Sequence, residues 1–95
     1  MTTFVGCTEF TLYCPGAFSL KDKRQSIQSL LDQIRDNWNL AAAEVGHQDQ
    51  HRLSKVAFST VSSSKQNIQT VFDNLEQKIS DNPEIQIREI EQTLV

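Results

Sequence analysis

Four segments of the chain alternate apolar and polar residues with the two-residue period of a β-strand. They cover residues 3–14, 40–45 and 53–62, and a last segment that contains Ile85, Ile87 and Ile90. The alternation changes phase between Ile87 and Ile90, which predicts a β-bulge near Arg88 and Glu89. In the first segment one face is mainly apolar and the other is mixed. That pattern is typical of a sheet that is covered on one side only.

Two longer segments repeat their apolar residues at the spacing of an amphipathic helix. The first helix is predicted from Leu20 to about Asn37, with the Ser19 hydroxyl as its N-cap. The second helix has Ser63 as its predicted cap and ends before Pro83. The order of elements is therefore strand, helix, strand, strand, helix, strand.

This order predicts an α+β fold, the ferredoxin-like βαββαβ sandwich. Since β-α-β crossovers are right-handed, both helices cover the same face of a four-stranded antiparallel sheet. We expect a single domain over residues 1–95. The other face of the sheet is left for solvent or a partner, and its predicted residues are Glu9, Thr11, Tyr13, Lys55, Ala57, Ser59 and Val61.

Composition is that of an ordinary globular protein, with 38% hydrophobic and 22% charged residues in a chain of 95. A chain of this size can bury a core without disulfides or metals. No apolar run approaches the roughly 18 residues of a membrane helix, and no secretory signal is visible. We therefore expect a cytoplasmic protein without membrane contact. Cys7 and Cys14, the only cysteines, are too far apart on one strand to pair and are predicted to be free thiols.

Three cations crowd the start of the first helix: Lys21, Lys23 and Arg24. Unpaired amides at a helix N-terminus, together with Lys and Arg side chains, attract phosphate. These cations, with Arg52 and Lys55, are the predicted contact for RNA phosphate. The alternative interpretation is a set of solvated side chains that oppose the helix dipole at small cost. The net charge of −3 argues against nucleic-acid binding over the whole surface but allows a local basic patch.

The segment from Glu44 to His51 carries four side chains that can bind a metal ion: Glu44, His47, Asp49 and His51. His and carboxylate groups suit zinc, and a His near carboxylates can act as a general base. A metal-assisted hydrolase around His47 and Asp49 is therefore one hypothesis. However, the spacing matches no standard zinc motif, and the chain has no nucleophile motif or phosphate-binding loop. The preferred interpretation is a polar turn, with no metal, no cofactor and no enzymatic activity.

Three segments carry a family resemblance: 15–24 (PGAFSLKDKR), 43–49 (AEVGHQD) and 61–64 (VSSS). Together they resemble the YlxP-like family of small bacterial proteins, a domain of unknown function. The resemblance implies a ferredoxin-like fold and no established activity, cofactor or substrate. It leaves a motif loop of unknown role, formed by Glu44, His47, Gln48 and Asp49.

Members of that family tend to be encoded near translation and ribosome-maturation genes, so the resemblance also implies a role linked to RNA or the ribosome. This chain departs from the family at Gln50 and His51, where an apolar-aromatic pair is frequent. Any contact that an aromatic residue makes there is therefore not expected in this protein.

The leading hypothesis is a non-enzymatic, cytoplasmic accessory factor associated with RNA or a ribosomal particle. The first alternative is a structural or regulatory homodimer joined through the open sheet face. RNA-binding sheets of this topology stack bases on aromatics of the central strands, and only Tyr13 qualifies here. The metal-assisted hydrolase is the second alternative.

Overall fold

A computed structural model describes residues 2–94 and has the predicted order of elements. The elements are β1 (Phe4–Tyr13), α1 (Leu20–Asn37), β2 (Ala41–Gly46), β3 (Leu53–Ser62), α2 (Lys65–Ser80) and β4 (Gln86–Leu94). The strands form one antiparallel sheet in the order β2-β3-β1-β4. The predicted ferredoxin-like fold is confirmed.

Serine side chains begin both helices. The Ser19 hydroxyl accepts the N–H of Asp22 at 3.1 Å, as predicted. The prediction of Ser63 as the cap of α2 is wrong, because Ser64 accepts the N–H of Asn67 at 3.2 Å. The strand β3 continues to Ser62, so the chain needs Ser63 to turn before the helix can start. The strand β2 also begins and ends one residue later than expected.

The predicted bulge lies in β4. Thr11 of β1 pairs with Glu89, and the next residue, Leu12, pairs with Ile87, so Arg88 is the extra residue. This insertion keeps Ile87 on the same face of the sheet as the other apolar residues of β4, since its partner Leu12 is fully buried. Arg88 is exposed.

One apolar core lies between the sheet and both helices. Phe10 and Phe58 of the central strands meet edge to face, with ring centroids 5.8 Å apart. They belong to one cluster of buried side chains with α1 and α2; the helix residues in it are Ile27, Leu30, Leu31, Ile34, Leu75 and Ile79. Cys14 is in this cluster, Cys7 is half-buried, and both are free thiols, as predicted.

The two ends of the sheet differ in what they present. At one end, which we call the loop end, β1 and β2 finish, β3 and β4 begin, and α1 starts. At the opposite end β3 finishes and α2 starts. Neither helix in residues 2–94 is both long enough and apolar enough to cross a membrane.

Candidate functional site

Lys23 does not belong to the cationic surface for which it was predicted. Its side chain is fully buried, and its ammonium nitrogen lies 3.1 Å from Glu44 Oε2. Nζ also donates to the backbone carbonyls of His47, Gln48 and Leu53 at 2.9, 3.3 and 3.1 Å. A buried ammonium needs such partners because desolvation of an unpaired charge is costly. Lys23 is therefore not available to phosphate, and it holds the β2–β3 loop against α1.

The shape of the β2–β3 loop explains why its carbonyls reach Lys23. His47 has a φ of 57°, in the left-handed region that is uncommon for residues other than glycine. Its carbonyl also accepts the N–H of Gln50 at 3.1 Å. The preceding Gly46 is closely packed, because an added Cβ would lie 3.0 Å from the Cβ of Lys55. Lys23 and this tight turn therefore fix the motif loop from inside.

The potential metal ligands of the motif loop do not converge in the described part of the chain. The carboxylate of Glu44 forms an ion pair with Lys23 and accepts a hydrogen bond at Oε2 from the hydroxyl of Ser54. Among residues 2–94, no three His, Cys, Asp or Glu side chains lie together in a way that could hold a metal ion. The geometry therefore gives no support to the hydrolase hypothesis around His47 and Asp49.

The two other cations of the helix start are exposed. Lys21 and Arg24 line a shallow groove along α1 beside Ala43 and Glu44 of β2. Phe18 precedes them, and its side chain is 80% exposed. Such exposure of an aromatic ring is unusual, since apolar surface of this size is normally buried.

The backbone around Phe18 is ordered by two side chains of the helix cap. The N–H of Phe18 donates to Asp22 Oδ2 at 3.1 Å, while Ser19 caps the helix. Asp22 thereby satisfies one amide outside the helix and adds a negative charge to its first turn, where the dipole favours it. The exposed ring is thus presented from a hydrogen-bonded segment.

A second group of cations lies at the corner of the open sheet face. Arg52 donates from Nε to the carbonyl of Ala17 at 3.2 Å, next to Phe18 in the chain. Arg88 places its guanidinium 4.3 Å from the centroid of the Tyr13 ring, a cation–π contact. Arg52, Arg88 and Tyr13 line one recess with His51 and Asp49. The sequence predicted Arg52 but missed Arg88, because the contact depends on the bulge.

Lys55 is half-buried on the open face, with its ammonium 3.9 Å from Glu9 Oε2. Glu9 stands opposite Glu91 in the β1–β4 pairing, and Glu89 is opposite Thr11. The β1–β4 half of the open face is consequently rich in carboxylates, which repel phosphate. Of the predicted cations, Lys21, Arg24 and Arg52 are thus exposed at the loop end, Lys55 is partly neutralised and Lys23 is buried.

Comparison with known proteins supports the family resemblance. The family described as "Protein of unknown function (DUF503)" matches residues 5–92. An uncharacterized protein of Bacillus subtilis (strain 168), YlxP, is 30% identical over 86 residues, which are 90% of this chain and 90% of that protein.

Among solved structures, a dimeric ferredoxin-like protein from an uncultured marine organism matches with a TM-score of 0.52 and 12% identity. The match covers 98% of this chain and 94% of that chain, and at this identity the likeness concerns the fold alone. The family match, in contrast, covers residues 5–92, which include both groups of cations at the loop end. The chain therefore belongs to the YlxP-like family of unknown function, DUF503.

Proposed function

We propose that this chain is a non-enzymatic, cytoplasmic accessory protein that binds single-stranded RNA, free or in a ribosomal particle, at its loop end. The observation that carries the proposal is the Phe18 ring, which is 80% exposed and lies three residues before the exposed Lys21. Proteins that bind single-stranded nucleic acid combine stacking aromatics with cations that follow the phosphates. Phe18 supplies the stacking surface here, and Lys21 and Arg24 supply the charge.

The distribution of charge favours the loop end over the rest of the surface. Most of the chain's nine Lys and Arg residues belong to elements or turns at this end, and Lys21, Arg24, Arg52 and Arg88 are exposed there. The net charge of −3 and the carboxylates of the open sheet face disfavour RNA elsewhere. Binding confined to one basic end reconciles an acidic chain with a polyanionic ligand.

The test is the salt dependence of binding to a short, fluorescein-labelled single-stranded RNA, measured by fluorescence anisotropy. Each phosphate contact contributes about 0.7 to the slope of log affinity against log salt for single strands. The double variant Lys21→Ala/Arg24→Ala should therefore weaken binding and flatten that slope by about 1.4. The matched control Arg35→Ala/Lys65→Ala removes two exposed cations at the opposite end of the molecule, from the last turn of α1 and the start of α2, and should leave the slope unchanged.

A second variant tests the stacking role. Phe18→Ser should weaken RNA binding by about 1–3 kcal/mol without changing the salt slope, because stacking on one base is lost and no charge is removed. Since the ring is mostly in solvent, stability should change little. The proposal is wrong if the wild-type chain shows no salt-dependent RNA binding, or if the loop-end and control variants bind alike.

A homodimer through the open sheet face is the second candidate function. Its support is a pair of exposed apolar side chains on that face: Val5 and Val61 lie opposite each other on β1 and β3 and are 41% and 60% exposed. The same face of β2 and β3 carries the small residues Ala41, Ala43, Ala57 and Ser59, and the solved ferredoxin-like protein of similar fold is described as dimeric. Isologous packing of two such faces would bury this apolar surface.

The dimer is tested by sedimentation equilibrium. The variants Val5→Glu and Val61→Glu place a charge on the open face and should shift the chain to monomer. Ile90→Glu is the control, because Ile90 pairs with the buried Phe10 and so lies on the other face of the sheet. A wild-type chain that is monomeric at high micromolar concentration would remove this candidate while leaving the RNA proposal intact.

A further inference from the structure

A groove of about 320 Å³ lies at the opposite end of the molecule, between the end of α1, the end of β3 and residues 67–74 of α2. Its apolar lining includes Trp38, Ile68 and Val71, and three asparagines add amide groups: Asn39, Asn67 and Asn74. None of the residues that line it carries a charge. Ligand sites typically have volumes of about 300–1,000 Å³ and combine apolar walls with a few polar groups.

The amide side chains of this groove are free to bind a ligand. Asn39 uses its backbone carbonyl to accept the hydroxyl of Thr60 at 3.1 Å, and Asn67 uses its backbone N–H in the cap of α2. Asn39, Asn67 and Asn74 are exposed, and within residues 2–94 none of their side-chain amides is engaged in a hydrogen bond with another protein group. Each amide offers two N–H donors and one carbonyl acceptor.

We propose that this groove binds a neutral, planar heterocycle of nucleobase size. Its flat face packs on the half-buried indole of Trp38, and its polar edge hydrogen-bonds to the asparagine amides. The lack of charge in the lining selects a neutral ring, because a charged one would lose its hydration without gaining an ion pair. The paired donors and acceptors of an amide match the donor–acceptor edge of a nucleobase.

This inference does not rest on the proposed RNA contact, because the groove and the loop end are at opposite ends of β3. A base in this groove has two sources, a free nucleoside or an exposed base of an RNA. The chemistry that is recognised is the same in both, and the experiment separates them.

Trp38 is the only tryptophan of the chain, so its fluorescence reports directly on the groove. Titration with adenosine, guanosine and uridine, up to about 10 mM, should give saturable quenching by at least one nucleoside. Cyclohexanol, which is apolar but not planar, should give none.

In parallel, a short single-stranded RNA is titrated into the Lys21→Ala/Arg24→Ala variant, which removes the loop-end contact. Quenching by nucleosides identifies a free ligand, and quenching by the RNA alone identifies a base within RNA.

Two variants connect the signal to the groove. Asn74→Ala should weaken binding about five-fold, as expected for one neutral hydrogen bond. Val71→Phe should abolish binding, because the larger ring occupies the groove beside Trp38. Gln33→Ala, an exposed amide of α1 outside the groove, is the control and should bind as the wild type does. Thermal unfolding monitored by circular dichroism verifies that each variant is folded.

The proposal is overturned if neither nucleosides nor RNA change the fluorescence of Trp38 and the amide NMR signals of Asn67 and Asn74. It is equally overturned if Asn74→Ala and Val71→Phe bind like the wild-type chain, since binding would then occur elsewhere.

Discussion

Lys23 and Glu44 form an ion pair beneath the first turn of α1, with Lys23 Nζ 3.1 Å from Glu44 Oε2. The lysine side chain is wholly buried, and that of Glu44 is 19% exposed. Because Nζ also donates to three backbone carbonyls, one ammonium connects α1, the end of β2, the β2–β3 loop and the start of β3. The exposed Lys21 and Arg24 therefore extend from a helix end that is anchored from within.

Replacing Lys23 by methionine should destabilise the fold by about 3–5 kcal/mol. Methionine keeps the length of the side chain but removes the cation that pairs with Glu44 and the donor of the loop carbonyls, and unpaired buried polar groups are costly. The measurement is the free energy of unfolding in urea. Lys21→Met, an exposed neighbour on the same helix, is the control and should stay within about 0.5 kcal/mol of the wild type. A Lys23→Met variant as stable as the wild type would mean that apolar packing replaces the ion pair.

The burial of this pair could be predicted from the helical period. Lys23 lies four residues before Ile27, so it continues the buried stripe of Ile27, Leu30, Leu31 and Ile34. Glu44 likewise shares a face of β2 with Ala42, whose partner Phe58 is fully buried. The prediction of a cationic surface rested on the charge of Lys23 and on its position between Lys21 and Arg24 in the sequence. Whether a helical side chain is exposed depends instead on the face of the helix from which it projects.

The strands and helices were predictable because their apolar patterns are local. The bulge at Arg88 was visible as a change of phase between Ile87 and Ile90. The stacking of Arg88 on Tyr13 was not, because it depends on how β4 pairs with β1. The exposure of Phe18 also escaped prediction, since it follows from the direction in which the chain enters α1.

Gly6 of β1 is required by its contact with α2. A Cβ at this position would clash with Ile68 and come within 3.0 Å of the Phe72 ring. We expect Gly6→Ala to cost about 1–3 kcal/mol through overpacking, seen as a fall in the midpoint of thermal unfolding. Gly16→Ala serves as the control, because among residues 2–94 no atom outside Gly16 and its two chain neighbours lies within 4 Å of the added Cβ, and Gly16 does not have a positive φ. Equal midpoints for the two variants would show that α2 shifts to accept the methyl group.

The side-chain hydroxyl of Thr8 lies in the apolar core. It is fully buried in β1, and its Oγ1 has no hydrogen-bond partner within residues 2–94. Thr8→Val replaces the hydroxyl with a methyl group of similar size, so we expect the free energy of unfolding to rise by about 1 kcal/mol. Thr60→Val should do the opposite, because the Thr60 hydroxyl donates to the carbonyl of Asn39. A loss of stability in Thr8→Val would indicate that the hydroxyl has a partner in solution, such as a buried water.

Cys14 should make the free energy of unfolding fall at alkaline pH. Burial raises the pKa of its thiol above the ordinary value of 9.0, although the Lys23 ammonium opposes the shift. The folded chain then holds this proton more tightly than the unfolded chain. The stabilisation is complete below about pH 9 and is lost as the pH rises through the pKa of the folded state.

In urea unfolding between neutral pH and pH 10, Cys14→Ala should therefore show a shallower alkaline fall in stability than the wild type, whatever stability the cavity itself costs. Parallel slopes for Cys14→Ala and the wild type would assign the alkaline loss to other groups.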